Sequence, residues 1–240
     1  MDIARAFTAP FRDRQWLEKG IIGALLLFIP LIGYLLVFGW ALRYLKAVLS
    51  GDDTELPAWN QWSQDLVLGF KATLVAIVWF SPVYVLLFCS ALALVPLFFD
   101  EPRLTIPSLA VSLVGLLCLV PLVAALGSIL LPIPLTRLVL SGSLAEAFAL
   151  RPILNEIGKA IRDLLVVWVV SFGYALGIAI AVQFGSQLAI LLCFPGIAAS
   201  ILITSGAQVH WLLFTVHLWA QVRSRLGQSS ASFTSQPLPG

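Results

Sequence analysis

The chain is 240 residues long, 60% hydrophobic and 11% charged, with 14 Lys+Arg against 12 Asp+Glu. A soluble globular chain carries about 25% charged residues, so this one cannot cover a surface that faces water all round, and a net charge of +2 leaves no electrostatic footprint for nucleic acid. Cys89, Cys118 and Cys193 stand far apart in apolar runs, which excludes a disulfide framework and a zinc ribbon. What remains is an integral membrane protein whose first partner is the lipid bilayer.

At the N-terminus Ile3, Phe7 and Phe11 recur every four residues among Arg5, Arg12 and Arg14, with Trp16 close behind. The pattern predicts a short helix lying in the headgroup region over residues 1–19. The apolar run that follows, 20–42, is too long for a cleavable signal and is followed by no small-x-small site. It is read as the first spanning helix of a transmembrane domain over 20–225.

Runs 20–42, 72–99, 104–136 and 164–222 contain no Asp, Glu, Lys or Arg. A span needs roughly 20 apolar residues, so the first three hold one helix each. The last holds two, divided at Cys193-Phe194-Pro195-Gly196, where Pro can open a new helix. The expected helices are 20–46, 66–97, 108–137, 163–192 and 195–224, with four and six spans as the bounds. Pro30, Pro82, Pro96, Pro121, Pro132 and Pro134 kink or end them. The Ser/Pro/Gly-rich residues 226–240 read as a disordered tail.

Five spans put Arg43, Lys46, Lys71, Arg137, Arg151, Lys159, Arg162, Arg223 and Arg225 on one side. Arg5, Arg12, Arg14, Lys19 and Arg103 fall on the other. The positive-inside rule makes the first group cytoplasmic.

Val48-Leu49-Ser50-Gly51 recurs as Val139-Leu140-Ser141-Gly142, each just after a basic residue. The recurrence suggests an internal two-fold repeat, 20–99 and 108–192, of a kind common in transporters. In the second unit Ser143-Leu144-Ala145-Glu146 has the form of a capping box. Ala147, Leu150, Leu154, Ile157 and Ile161 then fall on one face of an interfacial helix and Asn155, Glu156, Lys159, Arg162 and Asp163 on the other.

In the first unit Leu56-Pro57-x-Trp59, with Trp62, reads as an interface anchor, since indole rings favour the headgroup level. Together with Gly39-Trp40, Arg43 and Gly51 before it, Phe148, Leu150 and Arg151 in the middle, and His217, Leu218 and Gln221 near the end, this segment resembles an uncharacterised prokaryotic family of multi-pass membrane proteins, a domain of unknown function. The resemblance covers residues 5–225. It implies a polytopic protein of a prokaryotic inner membrane, or of an internal membrane derived from it, and supplies no mechanism.

Gly173, Gly177, Ala181, Gly185 and Ala189 are spaced four apart, a ladder that lets another helix approach closely, first of all one of the same chain. His210 and His217 are the only histidines. About 10.5 Å apart along one helical face, they cannot share a metal, whose bonds to imidazole are about 2 Å. Either could be an axial ligand to a chlorophyll-type pigment or a haem. No carboxylate lies in a spanning core, which disfavours ion coupling, and no protease or phosphoryl-transfer motif is present.

These features together predict an all-α, polytopic transmembrane helical bundle with interfacial amphipathic helices and no enzymatic activity or resident cofactor. The expected role is a structural or accessory subunit, associated with other membrane subunits or with itself. The alternatives are a permease or channel component for a neutral or lipid-like solute, and a pigment- or haem-carrying subunit through His210 or His217.

Overall fold

The computed structural model describes residues 1–95, 102–191 and 193–234. It is 85% helical, with no strand among the described residues, and its helices form an all-α polytopic bundle. Four helices are long and apolar enough to span a membrane, or five if a bent pair counts as one span.

Helix α1 (Ile3–Thr8) leads through a 3-10 turn (Ala9–Arg12) to α2 (Trp16–Leu26). The first expected span, 20–46, is therefore broken, and Pro30 is the reason: it has no N–H with which to continue the ladder. The chain reverses at Leu31, whose φ of 66° and ψ of −67° make a γ-turn closed by the Ile32 N–H on the Pro30 carbonyl at 2.8 Å. Such turns are strained. Every residue from Leu27 to Ile32 is apolar, and the N–H groups of Phe28, Ile29, Ile32 and Gly33 are all bonded within the turn. An unsatisfied amide costs several kcal/mol in hydrocarbon, and this turn largely avoids that cost.

Helix α3 (Ile32–Leu49) is the hub. Trp40, Ala41, Leu42, Tyr44 and Leu45 are all within 1% of complete burial, against α2, α4 (Trp62–Trp79), α8 (Pro132–Ser141) and α11 (Cys193–Thr234). Lipid is as apolar as leucine, so packing and hydrogen bonds, rather than escape from water, hold such a hub in place. Helix α4 packs tightly against it at Gly39 and Gly69: a Cβ on Gly39 would strike the Asp65 carbonyl, and one on Gly69 the Leu35 carbonyl. There α3 and α4 touch backbone to backbone.

Helix α4 bends by 54° into α5 (Ser81–Leu92) at Phe80, where Pro82 opens the second helix. Pro96 lies outside the described residues. Helix α6 (Pro102–Val114), a π-turn (Gly115–Leu119), α7 (Val120–Leu130) and α8 form one long span, Leu109–Ser141. Pro121 and Pro132 stand in the first turns of α7 and α8.

The short helix α9 (Leu144–Ala147) precedes α10 (Leu150–Leu191), and the next helix opens at Cys193, two residues before the expected start at 195. The expected interfacial helix is not separate: it is the first turns of α10. No breaker follows Pro152 in that helix. At about 1.5 Å per residue, its 42 residues exceed a hydrocarbon core of about 30 Å, so the charged turns project from it. Ile153 and Ala160 face the bundle, whereas Leu150, Leu154 and Ile161 are exposed. Helix α11 likewise continues to Thr234, past the expected start of the tail, since no proline lies between Pro195 and Pro237. Residues 235–240 lie outside the described residues.

The two Val-Leu-Ser-Gly segments have a local explanation. Each ends a helix, α3 or α8, with a glycine of positive φ, 90° at Gly51 and 69° at Gly142, which is the usual way to stop a helix.

The hairpin at Leu31 corrects the expected topology. Asp2 and Gln221 bond to each other twice, Arg5 reaches Asp53, and Lys19 reaches the Leu56 carbonyl. The N-terminal segment thus sits at the same end as loop 51–61 and the polar end of α11. Arg5, Arg12, Arg14 and Lys19 thus lie with the cations expected on that side rather than across from them.

Candidate functional site

The Leu-Pro-x-Trp segment is a strap across the basic end. Trp40 donates its indole N–H to the Pro57 carbonyl at 2.8 Å, and Arg43 donates to the Ala58 carbonyl at 2.8 Å. Trp59 stacks on Trp40 with centroids 4.6 Å apart and on Trp62 at 5.5 Å. Its N–H donates to the Lys19 carbonyl. Of the expected anchors, Trp62 is exposed, whereas Pro57 and Trp59 are half-buried parts of this lock. The sequence reading missed its ionic core. Asp65, 1% exposed, pairs with Arg43 at 2.8 Å, and Asp13 accepts from Lys19 at 2.7 Å and from the Leu56 N–H at 2.9 Å.

Burial pushes the Asp13 carboxyl up, but hydrogen bonds from Lys19 and from the Gln15 and Leu56 N–H groups, with the Lys19 charge, outweigh it and hold its pKa below 3.8. A carboxylate with a lowered folded pKa contributes stability above its unfolded value and loses it as pH falls through the folded one. Acidification below about pH 3.8 is therefore expected to loosen the strap, read as a change in tryptophan fluorescence of the solubilised protein. Asp13→Asn should remove that acid step; an unchanged step in the variant would assign it elsewhere.

Farther along the basic end Arg137 binds Glu146 and, at 2.8 Å, Glu156, which also holds Arg223. This corrects the expected capping box. Ser143 precedes α9 but its side chain makes no cap bond, because Arg137 takes the Glu146 carboxylate while the Ser143 N–H turns to the Ser141 hydroxyl.

Both histidines have protein partners. His210 Nε2 lies 3.2 Å from the Phe7 carbonyl, to which it donates, and Nδ1 lies 2.8 Å from the Tyr174 hydroxyl. Phe11 stacks on the ring at 4.9 Å. Both ring nitrogens of His210 are thus engaged within the chain. His217, 2% exposed, meets the Tyr44 hydroxyl through Nδ1 at 3.2 Å. It borders a cavity of about 530 Å³ walled by Arg5, Asp53, Gln221 and Arg225, a charged lining unlike the mostly apolar walls of cofactor sites.

The small-residue ladder meets a different correction. Gly173, Gly177, Ala181 and Gly185 are exposed, and a Cβ on any of these glycines would meet nothing within 4 Å. No helix of this chain, among the described residues, packs there, because α10 turns Leu164, Val167 and Ser171 inward instead. The side chain of Ala189 lies outside the described ones.

A second cavity, of about 480 Å³, lies within the bundle among α3, α4, α7, α10 and α11. Trp168 and Trp211 wall it, their N–H groups fixed on the Ser128 hydroxyl and the Ser171 carbonyl. Its described lining contains no charged residue and no histidine. Thr73, Ser171 and Thr215 also line it, and the buried hydroxyl oxygen of each has no hydrogen-bond partner. Sequence reasoning passed over all three, since a lone Ser or Thr in an apolar helix ordinarily bonds back to its own backbone, as Thr136 and Thr204 do here.

No curated protein and no solved structure matches the chain. A family model, described as a protein of unknown function (DUF4013), matches residues 22–186. That stretch contains the strap, the α3–α4 crossing and most of α10, but not the His217-Leu218-x-x-Gln221 element of the sequence resemblance. The match spans more than half of the chain, which therefore belongs to the DUF4013 family.

Proposed function

We propose that this protein is a non-enzymatic, multi-pass subunit that assembles side by side with other membrane helices through the outward face of α10. The observation that supports this is the exposed ladder of Gly173, Gly177, Ala181 and Gly185. Between helices in lipid, close backbone approach supplies the attraction that hydrophobicity cannot, and this groove is left unused by the chain's own helices. In the most apolar stretches of spans Leu109–Ser141 and Leu150–Gly185 only 11% of the residues are buried, so ample helix surface is free for neighbours. The gathering of basic residues at one end supports a cytoplasmic orientation for that end, in a prokaryotic membrane, by the positive-inside rule.

Extraction in mild detergent is expected to bring the protein out with other subunits or with further copies of itself. Gly177→Ile should abolish that comigration while leaving the unfolding midpoint of the chain within about 0.5 kcal/mol of wild type, as for a surface change that disturbs no contact. A wild-type protein that runs as a lone monomer would overturn the reading.

A further inference from the structure

The three unpartnered hydroxyls in the bundle cavity carry an inference independent of the association surface. Ser171 is 6% exposed and Thr215 5%, and a buried hydroxyl left without a partner forfeits the hydrogen bonds it made with water. Three lining one cavity, amid tryptophan and phenylalanine, are an arrangement missing its complement. The cavity borders Tyr34, Tyr84 and Phe172, each at least half exposed. These lie on the apolar flank of the bundle, so access is from hydrocarbon rather than from water.

We propose that this cavity binds a neutral, membrane-soluble molecule with an apolar body and a hydroxyl or carbonyl group, taken laterally from the bilayer. Its polar group would pair with Ser171 and Thr215, with Thr73 as a third partner, and its body would lie against Trp168 and Trp211. An ion finds no counter-charge in this lining. An unsubstituted acyl chain offers the hydroxyls nothing. A volume of about 480 Å³ falls in the range of small-molecule sites, roughly 300–1,000 Å³.

The test is photolabelling of the purified full-length protein in lipid nanodiscs with a ten-carbon primary alcohol carrying a mid-chain diazirine, read by mass spectrometry of the peptides. The expected result is saturable labelling of peptides around Thr73, Ser171 and Thr215, competed by decan-1-ol but not by decane or decanoate. In Ser171→Ala/Thr215→Val, which keeps the cavity's shape, site labelling should fall about tenfold. The unfolding midpoint of that variant should stay level or rise, because unsatisfied polar atoms have been replaced by apolar ones. Labelling that never saturates, labelling confined to the lipid-facing surface, equal competition by decane or decanoate, or full labelling of the double variant would each overturn the proposal. A cavity that holds only water would show itself as absence of site labelling.

Discussion

Alanine at Gly39 is expected to be a highly damaging small substitution. The added Cβ would enter the Asp65 carbonyl, and because both sides of the contact are helix backbone, no side chain can rotate away. Overpacking of an ordinary core costs about 1–3 kcal/mol and occasionally more; this site should reach about 3 kcal/mol or beyond, since α3 and α4 must separate along their crossing. For a chain of this size that corresponds to a fall on the order of 10 °C in the thermal midpoint of the solubilised protein. Gly69→Ala meets the Leu35 carbonyl and should behave alike. Gly173→Ala is the control: it meets nothing within 4 Å and should leave the midpoint almost unmoved. Equal midpoints for Gly39→Ala and Gly173→Ala would refute the close crossing.

The second large effect is expected at the ion pair beneath the strap. Arg43→Met leaves the Asp65 carboxylate, 1% exposed, without its cation, and breaking a buried pair on one side costs about 3–5 kcal/mol. The same change removes the donor to the Ala58 carbonyl, so loop 51–61 should become accessible to protease. Asp65→Asn is the milder half, because Arg43 keeps the Ala58 carbonyl and some contact with water. The double variant Arg43→Met/Asp65→Leu should recover part of the loss, since an apolar replacement of both partners leaves no buried charge. Its recovery, measured as a double-mutant cycle on denaturation midpoints, separates the pair's coupling from the strap's. Additive losses with no recovery would show that the two residues act independently.

How far the sequence foretold this structure depended on the range of the signal. Charge-free runs and proline gave spans, the break near Pro30, the bend near Pro82 and the helix start near Cys193, because each is decided by a few neighbouring residues. The direction of the first hairpin was illegible. Turns are ordinarily recognised by polar residues and glycine, whereas Leu27 to Leu31 consists of apolar residues alone, and the charge bookkeeping went wrong with it. Close helix approach was legible in kind, but the ladder that signals it is not where the chain's own helices meet. A ladder repeated every four residues stands out on α10, but the crossing that the fold uses needs one glycine on each of two helices, thirty residues apart, and makes no pattern in either. Arg137 displaced the capping box through a contact nine residues away. The hydroxyls of Thr73, Ser171 and Thr215 come from three helices, and only their convergence distinguishes them from ordinary serines and threonines.

The bond between Asp2 and Gln221 joins residues 219 positions apart, and the His210 contact with the Phe7 carbonyl spans 203. Neither can form until the final helix has left the ribosome. At about 5–20 residues per second, the first helix waits roughly 10 to 45 s for its seat, with Phe7 and Phe11 uncovered. Its amphipathic face suits that interval, since the membrane surface can shelter both rings meanwhile. Residues 2–11 are thus locked only once α11 has been made, and their docking onto it reports that the intervening helices have been threaded.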